Sequence, residues 1–232
     1  MEKVLENISQ ITIEAQVLDR LRDAILQGYF PAGGQLNQVH VAAQFGVSRG
    51  PVRAALNKLE QEGLVRNVPH RGTFVAPLDK KTVSDLYNVR AALEGYAVRL
   101  AVERCTPQDV SKLSQLVQET RDAARRGDTQ EVIRLDFLIH KFFMELSDNT
   151  FLIQTWSTIK IHVQRVLNFR HRSYPNLQEI ADSHLPFIEL MQSKNTEEAA
   201  RTMEAHICDA LNDLMERWNI SDSQKGNIGH EI

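Results

Sequence analysis

The chain has 232 residues, 42% hydrophobic and 25% charged, with a formal net charge of −3. It suits one large or two small globular domains with a real core, and its composition excludes a polycation. Two cysteines exclude a disulfide framework, so Cys105 and Cys208 are expected to be buried free thiols; no basic start followed by an apolar run is seen, so no signal peptide is expected, and no apolar run approaches the roughly 20 residues that span a bilayer. The expected compartment is therefore cytoplasmic, with no membrane partner.

In chain order, residues 1–10 are polar and read as loose. Thr12–Gln27 reads as a helix, with Val17, Leu18, Leu21, Ala24 and Ile25 on one face and Gly28 ending it. A turn-rich connector, Tyr29–Gly34, leads to a second helix, Val39–Phe45, whose apolar face is Val39, Val41, Ala42 and Phe45. Gly46 can take a left-handed conformation and stops it. Ser48 is a suitable N-cap for a third helix, with Pro51 in its first turn. Val52, Ala55, Leu56 and Leu59 point inward, Arg49, Arg53 and Lys58 fall outside that stripe, and Gly63 ends the helix.

Leu64–Val68 reads as a strand, Pro69-His70-Arg71-Gly72 as a turn and Thr73–Val75 as the returning strand. A hairpin directly after the third helix makes a wing, with Arg71 at its tip and His70 adding charge. Residues 36–76 hold five Lys or Arg against two acids, whereas residues 77–232 hold 19 basic and 23 acidic groups. Positive potential of the kind a DNA backbone needs is thus confined to one module. Spacing alone leaves two readings open: a helix-turn-helix that offers its second helix to a major groove, or plain core packing with solvated cations.

The run LRDAILQGYFPAGGQLNQ, followed by AAQFGVSRGPVRAALNKLEQEGLVRNVPHRGTFV, resembles the winged helix-turn-helix of GntR-family bacterial transcription regulators over roughly residues 14–76. Two positions depart from the usual pattern: Gly50 stands where Thr is common, and His40 where Glu is common. The resemblance implies a DNA-binding domain over residues 1–76. In it Arg49, Arg53 and Lys58 work from the recognition helix, and Ser48 and the adjoining backbone hold phosphate. His70, Arg71 and Gly72 form the wing tip that grips phosphate or enters the minor groove.

Beyond Pro77-Leu78-Asp79 no strand pattern is evident. Asp79–Glu103 reads as a long helix with Leu86, Val89, Leu93, Tyr96, Ala97, Leu100 and Ala101 as its periodic apolar set. Thr106-Pro107-Gln108-Asp109 opens a helix to about Arg126, and Asp128-Thr129-Gln130-Glu131 opens another to about Ser147. Further helices are expected from Asp148-Asn149 to about Phe169, over Asn176–Met191, and from Asn195 to about Trp218, with a disordered tail over 221–232. The fold class is mainly α: three helices and a β-hairpin wing, then an all-α antiparallel bundle of six to seven helices over 77–220.

Within that bundle Asp136 and His140 are four apart on one helix face. His184 and His206 lie beside apolar stripes on two other segments. Three imidazoles and a carboxylate converging in a bundle core suit a divalent transition metal such as Zn, Ni, Mn or Fe, and not the all-oxygen shells of Ca²⁺ or Mg²⁺. The same residues also fit a surface ion pair and satisfied core histidines. The segments LDFLIHKFFMELSDNTFL and DSHLPFIELMQSKNTEEAARTMEAHI are similar to the C-terminal ligand-binding (FCD) domain of the FadR-type branch of these regulators, over roughly residues 80–218. The resemblance implies that Asp136, His140, His184 and His206 hold a metal. Its open positions would take a small carboxylate effector, with Arg90 or Arg170 at the effector's far end; Arg172 is a further option.

Together these imply a homodimeric, effector-controlled regulator, a repressor in most such proteins, on a pseudo-palindromic double-stranded operator, and not an enzyme. The alternative is a metal-dependent hydrolase on the bundle, for which Glu145 is the general base nearest in sequence.

Overall fold

The computed structural model describes residues 12–172, 174 and 176–227, so residues 1–10 of the chain lie outside it. Two compact units divide between Leu78 and Asp79.

In the first unit α1 (Ile13–Leu26) is capped by Thr12, whose Oγ1 accepts from the Ala15 amide at 3.1 Å. It buries Val17, Leu18, Leu21 and Ile25, the stripe expected from spacing. A two-residue strand, β1 (Gln35–Leu36), comes before α2 (Gln38–Phe45). Asn37 caps α2 through two backbone amides, and Gly46 ends it at φ 64. Val39 does not belong to the buried face: it is exposed at the first turn, and Val41 and Ala42 carry the packing. The third helix, α3 (Arg49–Gln61), buries Val52, Ala55, Leu56 and Leu59 against α1. Arg22 of α1 clasps Glu62 with two hydrogen bonds, 3.0 and 2.6 Å, which fixes the far end of α3.

Strands β2 (Val65–Val68) and β3 (Gly72–Val75) form the wing hairpin. β1 adds a third antiparallel strand, in the order β1-β3-β2, which the sequence reading missed because two residues carry no period. The hairpin turn holds His70 at φ 61 and Gly72 at φ 101.

The second unit has seven helices among the described residues: α4 (Lys80–Arg104), α5 (Pro107–Arg125), α6 (Thr129–Leu146), α7 (Thr150–Arg172), α8 (Leu177–Asp182), α9 (Pro186–Gln192) and α10 (Thr196–Asn227). Caps fall where side-chain chemistry placed them. Asp79 accepts from Thr82, Thr106 and Asp109 form a reciprocal capping box, and Asp128 accepts from Glu131. α6 runs through the middle and is buried on most of its surface, including Ile133, Leu135, Ile139, Phe143 and Met144.

Three expectations for the helices of this unit are corrected. Residues 176–191 are not one helix: Pro186 has no amide proton and its ring disfavours continuation from Asp182, so the helix breaks and His184 sits in the break. On α4 the buried face is rotated from the expected set. Val89 and Tyr96 are exposed, while Tyr87, Arg90, Glu94 and Val98 are buried. Finally, α10 does not stop near Trp218 but continues to Asn227. Nothing between Trp218 and Lys225 breaks a helix, and propagation from a long formed helix costs little; residues 228–232 lie outside the described set. Cys105 is buried, but Cys208 is exposed.

Candidate metal centre and nucleic-acid interface

Arg49 and Arg53 are one turn apart at the start of α3 and both are exposed. Ser48 occupies the N-cap position, yet its side chain makes no cap hydrogen bond. Pro51 removes one of the orphan amides of that helix start. The result is an exposed helix N-terminus with two guanidinium groups and a hydroxyl on it. Lys58 is elsewhere: it lies nine residues after Arg49, in the last turn of α3, and pairs with Glu14 of α1 at 3.4 Å.

At the wing tip the Arg71 guanidinium stands 5.9 Å from the Phe74 ring centroid. The Arg71 carbonyl accepts from Gln35 Nε2 at 2.8 Å, so β1 ties down the turn that carries it. A side chain at position 72 would approach Gln35 Nε2 to 3.2 Å and sit at φ 101, which accounts for glycine there.

In the second unit three imidazoles from three segments converge: His140 on α6, His184 between α8 and α9, and His206 on α10. One ligand nitrogen from each lies within 4.8 Å of the others. Their ring centroids are 4.8 to 5.5 Å apart. His140 and His184 are fully buried, and His206 is half-buried. The fourth expected ligand, Asp136, is outside that set; its Oδ1 lies 3.4 Å from His184 Nε2.

Ring orientation is set from behind. His140 Nδ1 meets Glu94 Oε2 at 2.5 Å, and His184 Nδ1 meets the Ile180 carbonyl at 3.0 Å. With each Nδ1–H donated backwards, each Nε2 turns its lone pair into the cluster. Burial, reinforced by His184 and His140, holds His206 well below its ordinary pKa, which favours its neutral form. Neutral imidazoles with fixed tautomers are what a transition metal needs, and the donor set fits one.

Glu94 carried no role in the sequence reading. It is 1% exposed and joins three groups: Oε1 accepts from Arg90 Nε at 2.9 Å and Trp156 Nε1 at 3.3 Å, and Oε2 meets His140. Burial alone would raise its pKa, but Arg90 and His140 outweigh that and hold it well below the usual carboxylate range. The signal available was Arg90 and Glu94 at i, i+4, a pattern shared with any surface ion pair.

Arg90 itself is 2% exposed, with its guanidinium 4.9 Å from the Tyr87 ring centroid. Its hydrogen bond among the described residues is through Nε, which leaves the two terminal nitrogens for another partner. Arg170 is also buried but engaged: it lies 3.7 Å from Asp213 Oδ2 and over the Tyr174 ring, which Arg217 covers as well. The Arg172 side chain lies outside the described set. Glu145, the general base of the alternative reading, is exposed and pairs with Lys141 at 3.1 Å on the outside of α6. No helix among the described residues is long and apolar enough to cross a membrane.

The family described as "Bacterial regulatory proteins, gntR family" matches residues 13–75, and the FCD domain matches residues 85–209. YdhC of Bacillus subtilis (strain 168), named an HTH-type transcriptional regulator, is 31% identical over 87% of this chain and 92% of that one. The Nta operon transcriptional regulator of Aminobacter aminovorans is 33% identical over 81% of this chain and 88% of that one. Among solved structures, E. coli McbR/YncC aligns with a TM-score of 0.74 at 22% identity, covering 90% of this chain and all of that one, a likeness of fold alone.

Proposed function

The chain belongs to the GntR family of bacterial transcriptional regulators and carries an FCD domain, and from this premise we propose that it is a metal-dependent sensor controlling an operator. The observation that carries the reading is the convergence of His140, His184 and His206, with the Nδ1 atoms of the first two donated backwards. His140, His184 and His206 would hold a divalent transition metal, with Asp136 beside His184 as the fourth group. Bound there, the metal supplies a Lewis-acidic anchor for a carboxylate.

Arg90 gives the anionic end of such an effector a buried cation with two uncommitted nitrogens. Glu94 then bridges the effector-binding Arg90 and a metal-binding imidazole, so a change at either is felt at the other. In the reading head Arg49 and Arg53 engage base edges or phosphates, the α3 start holds phosphate, and Arg71 works from the wing. Two heads on a two-fold operator imply a homodimer, and effector release of DNA makes it a repressor. For the ligand to regulate, it must favour one arrangement of the heads over the other.

The test is fluorescence anisotropy on the DNA upstream of the protein's own gene, with the full chain metal-free and Zn²⁺-loaded, across a set of small carboxylates. Release of DNA by a carboxylate only in the metal-loaded protein supports the proposal. DNA binding indifferent to metal and to every carboxylate opposes it.

A further inference from the structure

Tyr87 is 1% exposed, and its hydroxyl is buried with no hydrogen-bond partner among the described residues. The phenol ring packs under the Arg90 guanidinium at 4.9 Å. A phenylalanine would fill that space, so the oxygen adds nothing to packing and carries the cost of an unsatisfied buried donor. Such groups occur where a ligand supplies the missing partner.

The surroundings narrow the partner's chemistry. Arg90, Arg170, Asp136 and Glu94 all bear electrostatically on this phenol, which burial keeps protonated. Glu94 already lies beside Arg90 and Asp213 beside Arg170, and the remaining Arg90 nitrogens are those assigned above to the effector's own carboxylate. A second carboxylate at the phenol would face Glu94 and Asp136 without a cation of its own. A neutral hydroxyl oxygen can take the phenol's proton without that repulsion.

We propose that the Tyr87 hydroxyl reads the bound effector, donating to a neutral oxygen close to its carboxylate, so the sensor selects hydroxy acids over the matching plain carboxylic acids. This rests on the reading of the histidine cluster as a metal and carboxylate site. Tyr87 sets specificity from α4, one turn before the Arg90 anchor, and takes no part in holding metal.

Matched pairs test it: propanoate and lactate, succinate and malate, hexanoate and gluconate. Each is titrated into the full-length, Zn²⁺-loaded wild type, Tyr87→Phe and, as a control on exposed surface, Tyr96→Phe. Calorimetry reads binding, with the fluorescence of Trp156 as a second signal because that indole donates to Glu94. At least one hydroxylated member should bind the wild type about tenfold tighter than its plain counterpart, as one buried hydrogen bond implies. Tyr87→Phe should erase that preference while changing the plain acid by about twofold or less. Tyr96→Phe should behave as wild type.

The melting temperature of the metal-free proteins separates selection from structure. Tyr87→Phe should melt at or above wild type. A clear drop would mean that the hydroxyl is satisfied structurally, and would overturn the proposal whatever binds. A hydroxyl preference that survives in Tyr87→Phe overturns it, as does a wild type that binds both members of every pair equally. A wild type that binds none of the six acids, with or without Zn²⁺, overturns the sensor reading and this inference together.

Discussion

The two functional regions are built in opposite ways. The reading head keeps Arg49, Arg53 and Arg71 in solvent, the first two at the start of α3 and the third on the wing turn. The sensing centre buries its charges and ties together groups distant in sequence: Glu94, paired with Arg90 one turn before it, also meets His140 and Trp156, and Asp136 lies beside His184. A solvated cation costs nothing until DNA arrives. A buried one must be matched at all times, so the sensor is the region where a single change spreads.

That contrast predicts a hierarchy. The largest effect belongs to Glu94→Ala, which leaves Arg90 buried without its carboxylate and frees the His140 ring. Urea unfolding should show a loss of about 3–5 kcal/mol, and metal affinity should drop about 10–100-fold for loss of a group behind a metal-binding His. A surface-like loss below about 1 kcal/mol would put the network in the same class as the head's ion pairs.

Next come Arg49→Ala and Arg53→Ala, each expected to cost about 1–3 kcal/mol in operator binding if it reads a base. If it meets only phosphate, the salt dependence of binding should flatten by about one unit. Neither should change the melting temperature by more than the equivalent of about 0.5 kcal/mol. An Arg49 variant that unfolds would break the comparison outright.

A smaller effect is expected at the wing. Gly72→Ala forces a side chain into a left-handed backbone and toward Gln35, which should cost about 1 kcal/mol of stability and weaken DNA binding by displacing Arg71. Smallest is Gly50→Ala at the start of α3, where an added Cβ meets only Ser48 Oγ at 3.9 Å. Thermal denaturation should show a gain of about 0.5 kcal/mol, with little change on DNA.

The same contrast explains what was legible in the sequence. The head was readable because its signals are local: Gly46, Ser48, Gly63 and the wing turn each act on their own neighbours. His140, His184 and His206 were found because imidazoles beside apolar stripes are conspicuous, though their convergence depends on packing that spacing cannot show. The α4 face was misassigned because apolar residues lie on several sides of that helix. The true inward side carries Arg90 and Glu94, which cancel in any hydrophobic period. Glu94 and Tyr87 were missed for that reason. The break at His184 was missed although Pro186 announced it, because the apolar period runs on across it.

The central claim is that the buried imidazoles hold an ion, and metal analysis of the purified full-length protein tests it most directly. Wild type dialysed against Zn²⁺ or Ni²⁺ should retain one equivalent per chain and melt higher than after chelation, since only the folded state binds. His184→Ala should retain none while still binding operator DNA. A wild type that takes up no transition metal, and melts alike with and without chelator, would contradict the account.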